Sequence, residues 1–177
     1  METKRFKLLA NQSNIDWVGR KVTGAHNGTI DFKEGSLVFD EGQLTGGQFV
    51  VDISSLKILD IADPETNANM AGHLASDDFF ASDRFPEAFF EIKSVVRAGD
   101  NSYNIYGDLT IKGITHAANF SAIYYQQDGT FSASGKIVVD RTRYNMKFRS
   151  GNFFRNLGDT LIYNEFDLNV TILAKAA

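Results

Sequence analysis

The sequence predicts an all-β protein of about eight antiparallel strands, arranged as a sandwich or as a closed barrel. Three observations predict this class. Apolar and polar residues alternate with a period of two, which is typical of antiparallel strands with one buried face. Turn residues separate the alternating runs at hairpin spacing. The 177-residue chain also contains 15 Phe residues, and this much aromatic surface needs a buried interior.

Alternation is clearest near the C-terminus, where Ile162, Phe166 and Leu168 share one face and Asp167 and Asn169 share the other. Similar runs recur along the chain. The predicted strands lie within Asn14–Val22, Gln48–Ile53, Phe89–Val95, Asn104–Lys112, Phe131–Asp140 and Leu161–Ala174. The alternation is weaker in Asn14–Val22 and in Phe89–Val95 than in the other runs.

Between these runs lie short segments rich in Gly, Asn and Asp. Gly and Asn accept the positive φ angles that tight hairpin turns require. The predicted turns are Gly24–Gly28, Lys33–Gly35, Asp40–Gly42, Ala98–Asn101 and Gln127–Gly129.

Two segments break the β pattern. Asp63 followed by Pro64 is typical of an N-cap with proline in the first helical turn, and Met70 and Leu74 stand one turn apart. These residues predict a short helix over about 64–75. The second excursion, at about 151–159, is predicted to be a short helix or an Ω loop. No repeat or linker divides the chain, so residues 1–177 are predicted to form a single domain.

The inward faces combine large apolar residues with Gly and Ala. This mixture bears on whether the interior is filled by side chains or contains a cavity. Small inward residues leave volume unfilled, and an eight-stranded barrel is just large enough to hold one small ligand. A core filled by alternating large and small side chains is the other interpretation. The small inward residues are Gly107, Ala118, Ala122, Ala133 and Gly135.

Composition excludes several classes of function. A net charge of −4 argues against nucleic acid as a partner, and the absence of cysteine excludes thiol nucleophiles and Cys-ligated metals. No apolar run is long enough to span a bilayer. The apolar stretch Leu8–Ala10 is too short for a secretory signal. The protein is therefore expected to be cytoplasmic if Met1 is native, and periplasmic if the chain is a processed form.

The histidines give no recognisable catalytic motif. His26 is predicted to lie in a Gly-flanked bend, His73 on the predicted helix before Asp77 and Asp78, and His116 in a turn over Gly113–His116. His73 with a carboxylate one turn away could offer a metal two ligands, but capping of the next turn is the commoner role of such carboxylates. We therefore predict no enzyme, no catalytic residue, no metal site and no cofactor.

Phenylalanines cluster in the two excursions. They are predicted either to close one end of the protein by packing or to form the mouth of an apolar cavity under a mobile lid. Arg141, Arg143 and Arg149 lie near the second cluster, where solvation, a salt link or contact with a ligand head group are the alternatives. The clustered residues are Phe79, Phe80, Phe85, Phe89, Phe90, Phe153 and Phe154.

Four motifs over residues 13–173 resemble the YceI-like family of lipid- and polyisoprenoid-binding proteins. They are SNIDWVGRKVTGAHNGTI (13–30), GGQFVVDISSL (46–56), HLASDDFFASDRFPEAFFEIKSV (73–95) and GDLTIKGITHAANF (107–120). One departure is Asn145, which stands where the family tends to have Gly after an Arg-x-x-Phe/Tyr pattern. Because Asn also tolerates positive φ, the turn is expected to persist.

The resemblance implies a lipocalin-like antiparallel eight-stranded barrel that encloses a long apolar pocket, often in a dimer. The implied function is non-catalytic binding, transport or storage of a polyisoprenoid, an isoprenoid quinone or a fatty acid or amide. The alternatives are an enzyme acting on a lipid with His26 or His73 as acid or base, and a filled-core barrel acting as a stress or interaction module. Expected partners are an apolar small molecule and a second copy of the chain, with no nucleic acid and no stable membrane insertion.

Inward positions of the strands are predicted to line the pocket, with Phe79, Phe80 and Phe90 at its mouth. The predicted ligand-binding residues are Trp17, Phe49, Val51, Ile53, Phe79, Phe80, Phe90, Ile105, Leu109, Phe120, Phe131, Ile137, Phe166 and Leu168.

Overall fold

The computed structural model describes residues 2–177, except for the side chain of Asp159. Within these residues, nine strands form one antiparallel sheet and one α-helix lies between the fourth and fifth strands. The elements are β1 (Thr3–Leu8), β2 (Asn14–Lys21), β3 (Gly24–Asp40), β4 (Gln43–Ile58), α1 (Pro64–Ala75), β5 (Glu87–Arg97), β6 (Ser102–Ile111), β7 (Ile114–Gln127), β8 (Thr130–Asp140) and β9 (Ile162–Ala176). Three 3₁₀ turns lie at Ala10–Gln12, Arg141–Tyr144 and Gly158–Thr160.

The sheet closes on itself because β9 pairs with β1 and β2 as well as with β8. β1 and β2 share one position in the barrel. β1 pairs with the second half of β3 (Phe6 opposite Leu37), and β2 pairs with its first half (Trp17 opposite Gly28). The nine strands therefore occupy eight positions, which confirms the predicted antiparallel eight-stranded barrel. Each of the eight positions is therefore paired on both sides over at least part of its length, although β7 pairs with β8 only from Ala122 to Gln127.

Two of the predicted turns are wrong. β3 starts at Gly24 and runs straight through Gly28 and Lys33–Gly35. At Gly35 a Cβ atom would lie 2.7 Å from Cδ1 of Phe49, so this glycine makes room for a ring on the neighbouring strand. The pairing of β3 with β4 also shifts register between Phe32 and Glu34. The glycine is thus required by close packing at a β-bulge and not by a reversal of the chain.

The three other turns predicted between the alternating runs are correct. Glu41 and Gly42 have φ angles of 51° and 80°, and Gly129 has a φ of 76°, as hairpin turns of this type require. The turn predicted over Gly113–His116 is wrong in its position, because the chain reverses at Lys112 and Gly113, with φ angles of 58° and 73°, and His116 lies on β7.

Helix α1 covers one end of the barrel and confirms the predicted range. The carboxylate of Asp63 accepts a hydrogen bond of 2.9 Å from the backbone N–H of Thr66, and Pro64 occupies the first helical position. Met70 and Leu74 face the barrel. The opposite end is closed by packed aromatic rings, with ring-centroid distances of 4.8 Å for Phe6–Phe39 and 5.1 Å for Phe39–Phe131.

The second excursion lies in the loop between β8 and β9, whose two ends are joined by the Arg141 side chain. Arg141 is only 3% exposed, and its guanidinium donates hydrogen bonds to the carbonyl oxygens of Met146, Ile162 and Tyr163. Solvation at the surface is therefore wrong for this arginine. Asn145 has a φ of 61°, so asparagine does preserve the left-handed turn expected there.

Candidate functional site

Two apolar cavities lie inside the barrel. The inner cavity, about 100 Å³, lies towards the aromatic-packed end, and the helix-side cavity, about 120 Å³, lies under α1. For comparison, an apolar protein cavity of ~150 Å³ stays dry and can bind benzene. The barrel core is therefore not completely filled by its own side chains.

Most residues predicted to bind a ligand line one of these cavities. Phe49, Val51, Phe90, Ile105, Leu109, Phe120, Phe131, Ile137 and Leu168 line the inner cavity, and Trp17, Phe79, Phe80 and Phe166 line the helix-side cavity. Ile53 lines a separate pocket beside Phe80, between β4 and α1. Phe90 lies in the barrel interior and not at the mouth. Contact of these residues with a ligand stays a prediction.

The inner cavity has an almost entirely apolar wall. Its polar side chains are Tyr103 and Ser134. The Tyr103 hydroxyl is already engaged, because it accepts a hydrogen bond of 3.3 Å from the backbone N–H of Leu44 and lies 3.4 Å from the Gln43 side-chain oxygen. Such a wall offers a ligand dispersion contacts and removal from water, with little hydrogen bonding.

The small inward residues differ in whether they border the inner cavity. A Cβ atom at Gly107 would lie 2.5 Å from Cζ of Phe90, and one at Gly135 would lie 3.2 Å from Cδ2 of Phe120. A phenyl ring therefore packs beside each glycine. Ala122, Ala133 and Gly135 all line the cavity, whereas Gly107 and Ala118 do not. The expectation that small inward residues leave volume unfilled thus holds at the first three positions and fails at Gly107, where the Phe90 ring takes the space.

The helix-side cavity depends on a close approach between β2, β3 and β4. The Trp17 ring crosses over Gly28, and its Nε1–H donates a hydrogen bond of 3.2 Å to the carbonyl oxygen of Lys57. A Cβ atom at Gly28 would lie 1.7 Å from that oxygen and 2.7 Å from the indole ring. Only glycine leaves room for this arrangement.

A third, open space of about 340 Å³, the entrance basin, lies at the α1 end. Helix α1 and residues that flank the second excursion on both sides contribute to its wall, and most of its residues also line the helix-side cavity. The basin is lined by Lys21, His26, Met70, His73, Leu74, Phe79, Phe148, Arg149, Thr160 and Ile162. The helix-side cavity therefore opens to solvent through a rim of mixed polarity.

Sequence reasoning missed Met70, Leu74 and Phe148 as lining residues. The helical spacing of Met70 and Leu74 did predict α1, and an apolar helix stripe must cover something. That stripe was the sequence signal from which Met70 and Leu74 could have been predicted as lining residues. Phe148 lies outside any regular pattern, and only its packing against His73, at a ring-centroid distance of 4.6 Å, brings it to the entrance.

Two histidines of the entrance basin are each paired with a carboxylate. His26 Nδ1 lies 2.8 Å from Asp60 Oδ2, and His73 Nε2 lies 2.9 Å from Asp78 Oδ2. Partial burial acts to raise the pKa of Asp60. The hydrogen bonds from the Asn27 backbone N–H and from His26 outweigh it and hold that pKa below its usual value.

The described residues contain no group of three or more His, Cys, Asp or Glu side chains placed to hold a metal ion. Asp77, considered above beside His73, is instead 2.8 Å from the Arg84 guanidinium. Over the same part of the chain, none of the helices combines the length and the apolar character needed to cross a membrane.

The YceI-like domain family matches residues 6–174 of this chain. A UPF0312 protein of Photorhabdus laumondii is 31% identical over 154 residues, covering 82% of this chain and 71% of the relative. UPF0312 proteins of Pseudomonas putida are 28% identical over 123 residues. That match covers 69% of this chain and 58% of theirs, so the chain spans less than two thirds of their length.

Solved structures share the fold at low sequence identity. BcnA of Burkholderia cenocepacia superposes with a TM-score of 0.75 at 21% identity, covering 94% of this chain and 98% of the other. A polyisoprenoid binding domain from Saccharophagus degradans superposes with a TM-score of 0.69 at 15% identity, covering 97% and 98% of the two chains. Both likenesses extend over nearly the whole barrel.

Proposed function

The chain belongs to the YceI-like family, and from this membership and the apolar cavities we propose that it is a non-catalytic carrier or store for a lipid with a long apolar chain. The ligand classes that fit are polyisoprenoids, isoprenoid quinones and fatty acids or amides. We further propose that residues 1–177 act as one lipid-binding domain. The description of the Saccharophagus degradans domain as polyisoprenoid-binding supports the first ligand class.

The observation that carries the proposal is that the two apolar cavities follow one another along the barrel axis. On β2, Ile15 lines the inner cavity and Trp17 lines the helix-side cavity. On β9, Leu168 and Phe166 divide between the two cavities in the same way. One layer of side chains therefore separates two spaces that lie one above the other, and a chain that displaces this layer would reach from the entrance basin to the inner end.

The affinity of such a site depends mainly on the length of the apolar chain that it buries. Each CH₂ group removed from water contributes about 0.8 kcal/mol, so affinity rises steeply with the length of the buried chain. The inner wall offers few polar groups to distinguish one apolar chain from another of similar shape. The polar part of the ligand would remain at the entrance basin, near Lys21, His26, His73 and Arg149.

Mass spectrometry of the purified protein, first native and then after denaturation and solvent extraction, tests this function. We expect one extracted lipid per chain, or saturable uptake of one octaprenol molecule on titration. The same titration with the water-soluble five-carbon alcohol prenol serves as a control, and should show no uptake at equal concentration. A clean apo mass with no uptake of octaprenol would contradict the proposal and favour an interaction module without a ligand.

The paired histidines favour a second candidate, an enzyme acting on a lipid held in the cavities. His26 and His73 lie at the entrance basin, and each imidazole is oriented by a carboxylate, as acid–base catalysis requires. For a carrier, His26→Ala and His73→Ala should leave the lipid bound by the folded protein chemically unchanged, as in the wild type. Conversion of a bound lipid ester by the wild type, abolished in either variant, would instead establish the enzyme. His116→Ala is the control, because His116 is not part of the basin.

A further inference from the structure

The segment over residues 141–158 differs in charge from the rest of the chain. It contains five cationic residues and no Asp or Glu, in a chain whose net charge is −4. We name residues 141–158 the entrance segment. Its cationic residues are Arg141, Arg143, Lys147, Arg149 and Arg155.

Four of these five cations are exposed, since only Arg141 is buried. None of the four forms a salt bridge with any carboxylate that the structure describes. The neighbouring carboxylates Asp60, Asp77 and Asp78 are occupied by His26, Arg84 and His73. Among the described side chains, Arg143 forms a hydrogen bond only with the ring of His116, at 3.2 Å from its Nδ1, and no carboxylate pairs with the four exposed cations, so their positive charge can act on an anionic partner.

The same segment exposes two large aromatic side chains. Phe153 is 50% exposed and Phe154 is 47% exposed. Lys147 Nζ lies 4.8 Å from the centre of the Phe153 ring, so a cation and an exposed aromatic ring lie side by side on this surface. This combination is typical of protein surfaces that rest in the head-group region of a bilayer.

The entrance segment is anchored to the barrel at the cavity entrance. The Lys112 ammonium donates a hydrogen bond of 2.9 Å to the carbonyl oxygen of Asn145, and Arg141 donates to the carbonyl oxygens of Met146 and Ile162. Within the segment, Phe148 and Arg149 line the entrance basin. Anything that the exposed part of the segment binds is therefore held beside the opening.

We propose that the entrance segment docks the protein on the surface of an anionic lipid bilayer. Phe153 and Phe154 enter the head-group region, while Arg143, Lys147, Arg149 and Arg155 face the lipid phosphates. The entrance basin then lies close to the membrane, and an apolar ligand passes between bilayer and barrel without crossing bulk water. Docking does not depend on a resident ligand, so it can be measured separately from the proposed carrier function.

Co-sedimentation with vesicles tests the docking. We expect the wild-type protein to bind vesicles of phosphatidylcholine with phosphatidylglycerol and to bind pure phosphatidylcholine weakly. Because the attraction is between charges near a surface, binding should weaken as salt rises from ~0.05 to ~0.5 M. The double variant Lys147→Gln/Arg155→Gln should bind the anionic vesicles roughly 20-fold more weakly, and Phe153→Ser/Phe154→Ser should bind about tenfold more weakly.

Matched variants on other faces give the controls. Lys7 and Lys175 are exposed register partners on β1 and β9, and Lys7→Gln/Lys175→Gln removes the same charge. Ile123 and Tyr125 are 62% and 63% exposed on the barrel wall, and Ile123→Ser/Tyr125→Ser removes similar apolar surface. Both control variants should bind anionic vesicles as the wild type does.

Three outcomes would overturn the docking proposal. They are equal binding to the two vesicle types, an equal loss of binding in the control variants, and self-association that Phe153→Ser/Phe154→Ser abolishes while vesicle binding persists. Lipid extracted from a protein that does not bind vesicles would reject docking but keep the carrier function. Vesicle binding by a protein that takes up no lipid would support docking but reject the carrier function.

Discussion

Ala133→Phe is expected to weaken the binding of a long apolar ligand strongly while the barrel stays folded. Ala133 lies on the inner face of β8, opposite Ile172 on β9, and lines the inner cavity of about 100 Å³. A phenyl ring at this position projects into that space and displaces the end of a bound chain. Excluding about four CH₂ groups at ~0.8 kcal/mol each corresponds to affinity more than 100-fold weaker.

The measurement is octaprenol uptake by native mass spectrometry, with urea denaturation to confirm folding. Overpacking costs about 1–3 kcal/mol where the added ring fits poorly, so the variant should still unfold cooperatively. Val138→Phe is the matched control, because Val138 lies on the same strand and its side chain is 57% exposed on the outer face. It should bind octaprenol as the wild type does. Equal binding by Ala133→Phe would place the ligand outside the inner cavity.

Local signals in the sequence were sufficient for α1 and for six of the nine strands, whereas no alternating run was identified in β1, β3 or β7. The Asp63–Pro64 pair identified the start of α1 because an N-cap and a proline in the first turn act within a few residues. Glu41 and Gly42 identified a hairpin for the same reason. Alternation along β8 correctly assigned Phe131 and Ile137 to the inside of the barrel, since side-chain direction on a regular strand follows parity.

Sequence-based predictions failed where the conformation of a residue is determined by a contact with a residue far away in the sequence. Gly35 follows Lys33 and Glu34 in a sequence typical of a turn. Glycine is needed there because the Phe49 ring on the adjacent strand occupies the space that a side chain would fill. Arginine is usually a surface residue, yet Arg141 is buried because its guanidinium donates to three carbonyl oxygens, those of Ile162 and Tyr163 on β9 and that of Met146 in the loop after β8. The entrance basin was missed for the same reason, because Phe148 meets His73 only after the chain has closed.

Gly28→Ala is expected to destabilise the protein by about 3 kcal/mol or more, the largest effect of a single methyl group in the barrel. The added Cβ atom would lie 1.7 Å from the carbonyl oxygen of Lys57, a backbone atom that a side-chain rotation cannot move. It would also lie 2.7 Å from the Trp17 ring. The pairing of β3 with β4 must therefore open locally, and the hydrogen bond from Trp17 to Lys57 must lengthen or break.

Urea denaturation followed by tryptophan fluorescence measures both consequences, because Trp17 is the one tryptophan of the chain. The folded Gly28→Ala variant should show red-shifted emission, since displacement of the indole ring from the helix-side cavity exposes it to water. Gly72→Ala is the control. Nothing lies within 4 Å of a Cβ atom at Gly72, and its position inside α1 favours alanine by about 0.5–1 kcal/mol. The two glycine-to-alanine changes should therefore have opposite signs, and a Gly28→Ala variant as stable as the wild type would contradict the close approach that shapes the helix-side cavity.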